Sequence, residues 1–404
     1  MSGEVVVTGL AVAAPNGLGA DNYWSAVLAG RLGIDLVSRY EVGGYPSRFA
    51  GEILDFDVAA HIPGRLVPQT DPVTKLAIAV ADWAIEDAAV ELSEFGNDTL
   101  GATTSNASGG FDFTQREVQK LWTLGPDHVS AYQCFAWFYA VNTGQISIRN
   151  DLRGAGGSIV ADQAGGLDAI GHARRLVRRG QRVSIAGGLE APLNPYALVS
   201  QISLGRLSRA DTKESAYLPF DERASGYVPG EGGALLILED AASAEERGAP
   251  RVYGSIIGYG SSFDPHPDLG RAPNLDRAIR AALDDADIDA SEVDVVFADA
   301  AGLPDLDAAE ASAITEIFGP HGVPVTAPKS TIGRLIAGGP PLDVATALLA
   351  LRHQVIPPTV GTERLAPGYA IDLVLRSARP APLRTALILA RGFGGFNSAL
   401  VVRR

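Results

Sequence analysis

Thiols are almost absent from this 404-residue chain: Cys134 is its single cysteine, and there is a single methionine. One thiol excludes an internal disulfide and every paired-cysteine metal motif. The histidines, at 61, 128, 172, 266, 321 and 353, fall into no HExxH or other ligand spacing, so neither a metal centre nor a dissociable cofactor is expected. His172 reads as a surface or packing residue. No stretch is apolar for long enough to cross a bilayer, and no basic segment leads into an apolar run at the N-terminus, so a cytoplasmic location is expected.

Positive charge is also scarce. Lys and Arg number 33 against 47 Asp and Glu, a formal net charge of -14, which argues against a nucleic-acid footprint and against docking on an anionic membrane. The only basic cluster, Arg174, Arg175, Arg178 and Arg179, has helical spacing and reads as a solvated helix face. Cys134 lies in the aromatic stretch Tyr132 to Tyr139 with no histidine nearby, and is expected to be a buried apolar thiol.

What remains is ordinary globular material, 46% hydrophobic and 20% charged, enough for about two to three domain-sized units. Strand patterns alternate with helical ones, the mark of α/β layers. The first half has strands at Val5 to Val12 and Leu100 to Ser105, a helix near Asp71 to Leu92, and a further strand, turn and helix around Gln163. The second half has strands at Arg251 to Ser261, Val293 to Ala298 and Val323 to Lys329, with a helix at Asn274 to Ala286 and a long one after a glycine turn. Ala164-Gly165-Gly166-Leu167-Asp168-Ala169 in the first half is echoed by Ala337-Gly338-Gly339-Pro340-Pro341-Leu342-Asp343-Val344-Ala345 in the second, which suggests duplication.

The stretch Ser158 to Ile170 reads as a buried strand, a sharp turn and the first turn of a helix, with Gln163 at the turn. A thiol in that position would feel the helix N-terminus, which lowers its pKa and supplies thiolate. A glutamine amide neither ionises nor attacks.

Four stretches together resemble the β-ketoacyl synthase family. Leu218 to Ala234 is similar to the family's PFDxxRxGFVxGEGxG signature, Pro328 to Arg334 to KSxxGH, Gly392 to Ser398 to the GFGGxN loop, and the Gln163 segment to the nucleophile turn. The resemblance implies a thiolase fold, two similar βαβαβαββ halves in an αβαβα layering, with residues 1–250 as the N-terminal half and 251–404 as the C-terminal half. It also marks three departures. Gln163 replaces the acyl-carrying cysteine, Ala301 (within Asp299-Ala300-Ala301-Gly302) the first histidine, and Arg334 the second; Lys329 alone is retained. Alanine donates no hydrogen bond and arginine stays protonated, so condensation is not expected. Asp307 and Glu310 keep a DxxE-like spacing, and an Arg334–Glu310 ion pair is expected from their family positions.

Glutamine for cysteine with both histidines gone is similar to the chain-length factor, or ketosynthase β subunit, of type II aromatic polyketide synthases. VADQAGGLDAIGHARR (160–175), FAWFYAVNTGQISIR (135–149), NASGGFDFTQRE (106–117) and PKSTIGRLIAGG (328–339) carry this likeness. It implies pairing with a catalytic ketosynthase α subunit around a tunnel in which the poly-β-keto chain grows. The positions matching the tunnel lining are Phe111, Thr114 and Val118, spaced to share one helix face, and Tyr196. Val118 is small for a stopper, so a product longer than the shortest of the class is expected. Phe135, Trp137, Phe138 and Tyr139 read as subunit interface rather than core. Gly394, Gly395 and Asn397 belong to the structural C-terminal loop. The acidic balance favours contact with acyl carrier protein mainly through the α subunit.

Three other functions stay open at this point. Gln163 could serve a malonyl-carrier decarboxylase supplying acetyl starter, although such sites keep donors for the developing enolate. A stand-alone hydrolase or dehydrogenase is disfavoured: no GxSxG elbow is present, and Gly154 to Ser158 leads into a strand instead of out of one. A purely structural subunit with no influence on product length is the third.

Overall fold

The computed structural model describes residues 3–404. The first half runs β1 (Val5–Ala14), α1 (Pro72–Ala88), β2 (Leu100–Ser105), α2 (Phe111–Leu124), α3 (Val141–Arg149), β3 (Gly157–Ile159), α4 (Gly165–Arg178), β4 (Val183–Glu190), α5 (Pro195–Ser203) and β5 (Gly232–Asp240). The second runs β6 (Gly254–Phe263), α6 (Leu275–Ala286), β7 (Val295–Phe297), α7 (Pro304–Phe318), β8 (Pro324–Thr326), α8 (Gly339–His353), β9 (Thr385–Arg391) and β10 (Phe396–Arg403).

The strand order of the first half is β3-β2-β4-β5-β1 and of the second β8-β7-β9-β10-β6. The same order, with the same parallel pairs (β2 with β3 and β4, β7 with β8 and β9) and the same antiparallel returns, is the duplication the echoing glycine turns suggested. A short antiparallel pairing of β1 with β6 joins the two sheets.

Side chains alternate across each strand, and the core follows that alternation. Leu236 and Leu238 of β5, with Leu400 and Val402 of β10, face a middle core built around α4 and α8. Leu235 and Ile237 face an outer core under α1, and Ala399 and Val401 face another under α6 and α7. The result is the expected αβαβα layering. Helix α8, pressed between two sheets, is buried from Gly339 to Leu351 and has no polar face to offer solvent.

The helix expected from Asp71 to Leu92 is shorter. Asp71 caps it through Val73 N (3.0 Å), Pro72 occupies the first turn, and Ala89 ends it in the left-handed conformation at φ 45°. Three burial expectations fail. Cys134 is exposed, because its segment lies on the surface. Arg174 is not on a solvated face but is 2% exposed, held by Asp285 and the Ile257 carbonyl, because α4 is a middle-layer helix whose C-terminal part reaches β6 and α6. The strand before Gln163 is half-buried instead of buried, since β3 is the edge of its sheet.

Candidate functional site

Between β3 and α4 the chain turns at Asp162, a non-glycine residue at φ 48° whose carboxylate accepts from Phe393 N at 2.6 Å. That turn delivers Gln163, 1% exposed, to the start of α4. The glycine turn before α8 packs against it. At Gly166 a Cβ would strike the Pro341 ring and the Ala337 carbonyl, so the two echoing segments meet only because glycine is there.

Asp299, two residues past the end of β7, is the hub of the buried cluster. Its carboxylate accepts from Gln163 Nε2 (3.1 Å), from Arg334 Nη2 (3.1 and 3.0 Å to its two oxygens) and from Arg391 N (2.9 Å). Arg334 Nη2 also donates to the Arg391 carbonyl at 2.6 Å, and Nη1 to the Asp299 carbonyl at 3.3 Å. Burial opposes the Arg334 charge, but Asp299, together with Tyr217 and Asp162, more than offsets it and holds the pKa above the usual arginine value. The expected partner Glu310 is elsewhere: it accepts from the backbone amides of Asp299 (2.7 Å) and Ala300 (2.8 Å). Burial and the Asp299 charge raise its pKa to about 7. The correction has a simple cause, since Glu310 is used to shape the loop that carries Asp299.

Asp307 shapes the same loop, accepting from Gly302 N (3.0 Å) and Phe220 N (2.8 Å). Ala301 is buried and offers no polar atom from its side chain. Lys329 bonds Asp343 (2.6 Å) and donates to the Ala298 carbonyl (2.7 Å), with both side chains buried. Above the cluster, Phe393 stacks on Tyr227, with ring centroids 5.8 Å apart, and carries the Arg206 guanidinium at 4.1 Å and that of Arg334 at 5.4 Å. Gly394 and Gly395 continue this loop into β10, and Asn397 fixes its base by donating to Asp264 at 2.7 Å.

Chemically, the cluster holds neither a thiol nor an imidazole. The Gln163 amide orientation is dictated, because the reverse would set its oxygen against the Asp299 carboxylate. One hydrogen of its nitrogen is therefore held by Asp299, and Gln163 Oε1 is buried and without a partner. An acceptor cannot stabilise a developing enolate, and the Phe393 amide is already spent on Asp162.

A second set of residues lies on another face. Phe111 and Thr114 are half-buried on α2, Val118 is 44% exposed on the same helix, and Tyr196 is 53% exposed on α5. The rings of Phe111 and Tyr196 are 5.3 Å apart between centroids. Gln133 Nε2 donates to Thr114 Oγ1 at 3.3 Å, and Gly110 N donates to the Trp137 carbonyl at 3.0 Å, so the aromatic segment is tied to α2. Phe135 is half-buried, whereas Trp137, Phe138 and Tyr139 are exposed. Sequence reasoning missed Asp299 as the hub, as well as Asp343 and Tyr217, whose hydroxyl donates to the Ala300 carbonyl (2.7 Å). The available signal was an aspartate at the end of a predicted strand, next to a position where a histidine was missing.

Comparison with known proteins agrees with this geometry. Residues 2–244 match the family described as beta-ketoacyl synthase, N-terminal domain, and residues 253–363 match beta-ketoacyl synthase, C-terminal domain. The tetracenomycin polyketide synthase ketoacyl synthase beta subunit of Streptomyces glaucescens is 58% identical over 401 residues, 99% of this chain and 98% of that one. Among solved structures, the ishigamide ketosynthase/chain length factor aligns over 100% of this chain and 99% of its own, with TM-score 0.89 and 26% identity. A type II PKS acyl-carrier protein in complex with its ketosynthase bound to the hexaketide aligns over 100% of both chains, with TM-score 0.89 and 25% identity. On these matches and on its duplicated strand order, the chain belongs to the β-ketoacyl synthase family.

Proposed function

We propose that this chain is the non-condensing chain-length factor of a type II polyketide ketosynthase. It pairs with a catalytic α subunit, completes the cavity in which the poly-β-ketone grows and sets its length. The observation that carries this reading is the Gln163–Asp299–Arg334 cluster: where a condensing enzyme needs a thiolate and two histidines, this chain has a glutamine tethered to a buried arginine–aspartate ion pair. The decarboxylase alternative, which needs donors aimed at a developing enolate, is disfavoured because Ala301 has no side-chain donor and Arg334 Nη2 is turned onto Asp299 and the Arg391 carbonyl.

The face of α2 and α5 supports the second half of the reading. A half-open row of Phe111, Thr114, Val118 and Tyr196, flanked by exposed Trp137, Phe138 and Tyr139, is what a chain leaves when its cavity is closed by another subunit. Thr114 and Val118 would meet the growing chain, and the small Val118 leaves room for a product longer than the shortest of the class. Acyl carrier protein would reach the complex mainly through the α subunit, given the acidity of this chain. A half-boundary near residue 250 fits the repeated strand order, and the expected location is the cytoplasm. Among the described residues no helix is long and apolar enough to cross a membrane.

The test is co-expression with the cognate α subunit and product mass from malonyl-loaded carrier protein. Gln163→Ala is expected to retain turnover while Thr114→Trp shortens the polyketide. If Gln163→Ala stops priming and added acetyl starter restores it, the decarboxylase reading takes its place.

A further inference from the structure

The row that closes the cavity is made from two helices, and helices from separate segments need something to fix their spacing. The contact between the first turns of α2 and α5 supplies it. Gln115 Oε1 accepts from Asn194 Nδ2 at 2.8 Å and from Tyr196 N at 2.8 Å. Asn194 Nδ2 spends its second hydrogen on the Phe111 carbonyl at 2.9 Å, and Asn194 Oδ1 caps α5 by accepting from Ala197 N at 3.2 Å. Tyr196 N is one of the orphan amides of the α5 first turn, so Gln115 does from a neighbouring helix what a capping side chain does from within.

The atoms involved belong to the residues on either side of the closing rings. Phe111 is held by its carbonyl and Tyr196 by its amide, so the 5.3 Å ring separation follows from the two polar side chains between them. Asn194 is 8% exposed, which shields these bonds from competing water. Gln115 projects on the α2 face that meets α5 and is not itself one of the row.

We propose that Gln115 and Asn194 are positioning residues for product length: they clamp α2 to α5 so that Phe111 and Tyr196 close the cavity at one spacing. This rests on the reading that the α2 and α5 face closes the chain cavity. Without the clamp the two helices splay, and the ring pair no longer presents a single stop.

The experiment uses the heterodimer and measures product masses beside heterodimer yield and melting temperature. Gln115→Met removes the acceptor at similar volume. Asn194→Asp keeps the cap on α5 but removes both donors and sets a carboxylate against Gln115 Oε1. Gln115→Glu keeps an acceptor for both donors and is the rescue control. The expected result is a rise of about tenfold in the ratio of longer to native-length product for the first two, as loss of one or two hydrogen bonds shifts a packed-to-splayed equilibrium. Gln115→Glu should stay near the wild-type ratio. Thr114→Trp, run in parallel, separates the two levels of inference. If Thr114→Trp shortens the product but Gln115→Met and Asn194→Asp both leave its length unchanged in a complex formed at normal yield, the clamp is overturned. If Thr114→Trp also changes nothing, the cavity reading falls and the clamp with it.

Discussion

Arg334 and Asp299 form a buried ion pair, 3.0 Å apart and 2% and 1% exposed at their side chains, in the place where the family signature puts a histidine. The pair does not stand alone, because the Asp299 carboxylate also receives Gln163 Nε2 and Arg391 N. Two of the three degenerate positions thus became donors to one carboxylate, and the third, Ala301, lies two residues beyond that carboxylate. A site that loses its chemistry still has to satisfy the polar groups it buries, and this network does so for the Asp299 carboxylate while leaving Gln163 Oε1 without a partner.

Removing one member should therefore be costly. Arg334→Met leaves Asp299 charged in the interior with only two neutral donors, a situation that costs about 3–5 kcal/mol. Chemical denaturation of the purified chain should show that loss. The double variant Arg334→Met with Asp299→Asn should recover more than half of it, since the asparagine oxygen can still accept from Gln163 and Arg391. A single variant as stable as wild type would mean that the pair is dispensable.

The succession of strands and helices and the Gln163 turn were legible because alternation, glycine turns and a strand-to-helix change are local signals. Asp299 was not: its role depends on β7, the loop before α8 and the end of β9 meeting, three segments separated by tens of residues. The Arg334 partner was misassigned for the same reason. Glu310 has the right charge and family position, but its oxygens face two backbone amides, which only the fold reveals. Arg174 shows the limit of helical spacing as evidence. Of the four arginines at helical spacing, Arg175 and Arg179 are exposed as expected and Arg178 is half-buried, but Arg174 points into the layer between the sheets.

Glu190 gives a pH prediction. Buried at the end of β4, it accepts from Ala107 N (2.5 Å) and from the Ser108 hydroxyl, and so holds the loop that leads into α2. Burial raises its pKa from 4.5 to about 7, against the pull of those hydrogen bonds. The folded state therefore keeps a proton that the unfolded state has lost. That contribution is full below about pH 4.5 and is lost as pH rises through 7, by about 3 kcal/mol in total. Stability curves of wild type and Glu190→Gln, subtracted from each other, should show this slope between pH 5 and 7. A flat difference would show that Glu190 is ionised in the folded chain.

The approach of the aromatic segment to α2 yields the last prediction. Gly110 N donates to the Trp137 carbonyl at 3.0 Å, and a Cβ at Gly110 would run into the Ala136 carbonyl. Backbone is in contact with backbone here, so no rotamer change can relieve the clash. Gly110→Ala must either move the Phe135 to Tyr139 segment or distort the start of α2, and the strain is on the order of 2 kcal/mol. Because Trp137, Phe138 and Tyr139 are exposed in this chain, the displacement should weaken assembly with the α subunit more than it lowers the melting temperature of the chain alone. Pull-down of the α subunit against Gly110→Ala, with thermal unfolding of the isolated chain measured beside it, checks this. Undiminished capture would show that the aromatic segment is not at the subunit interface.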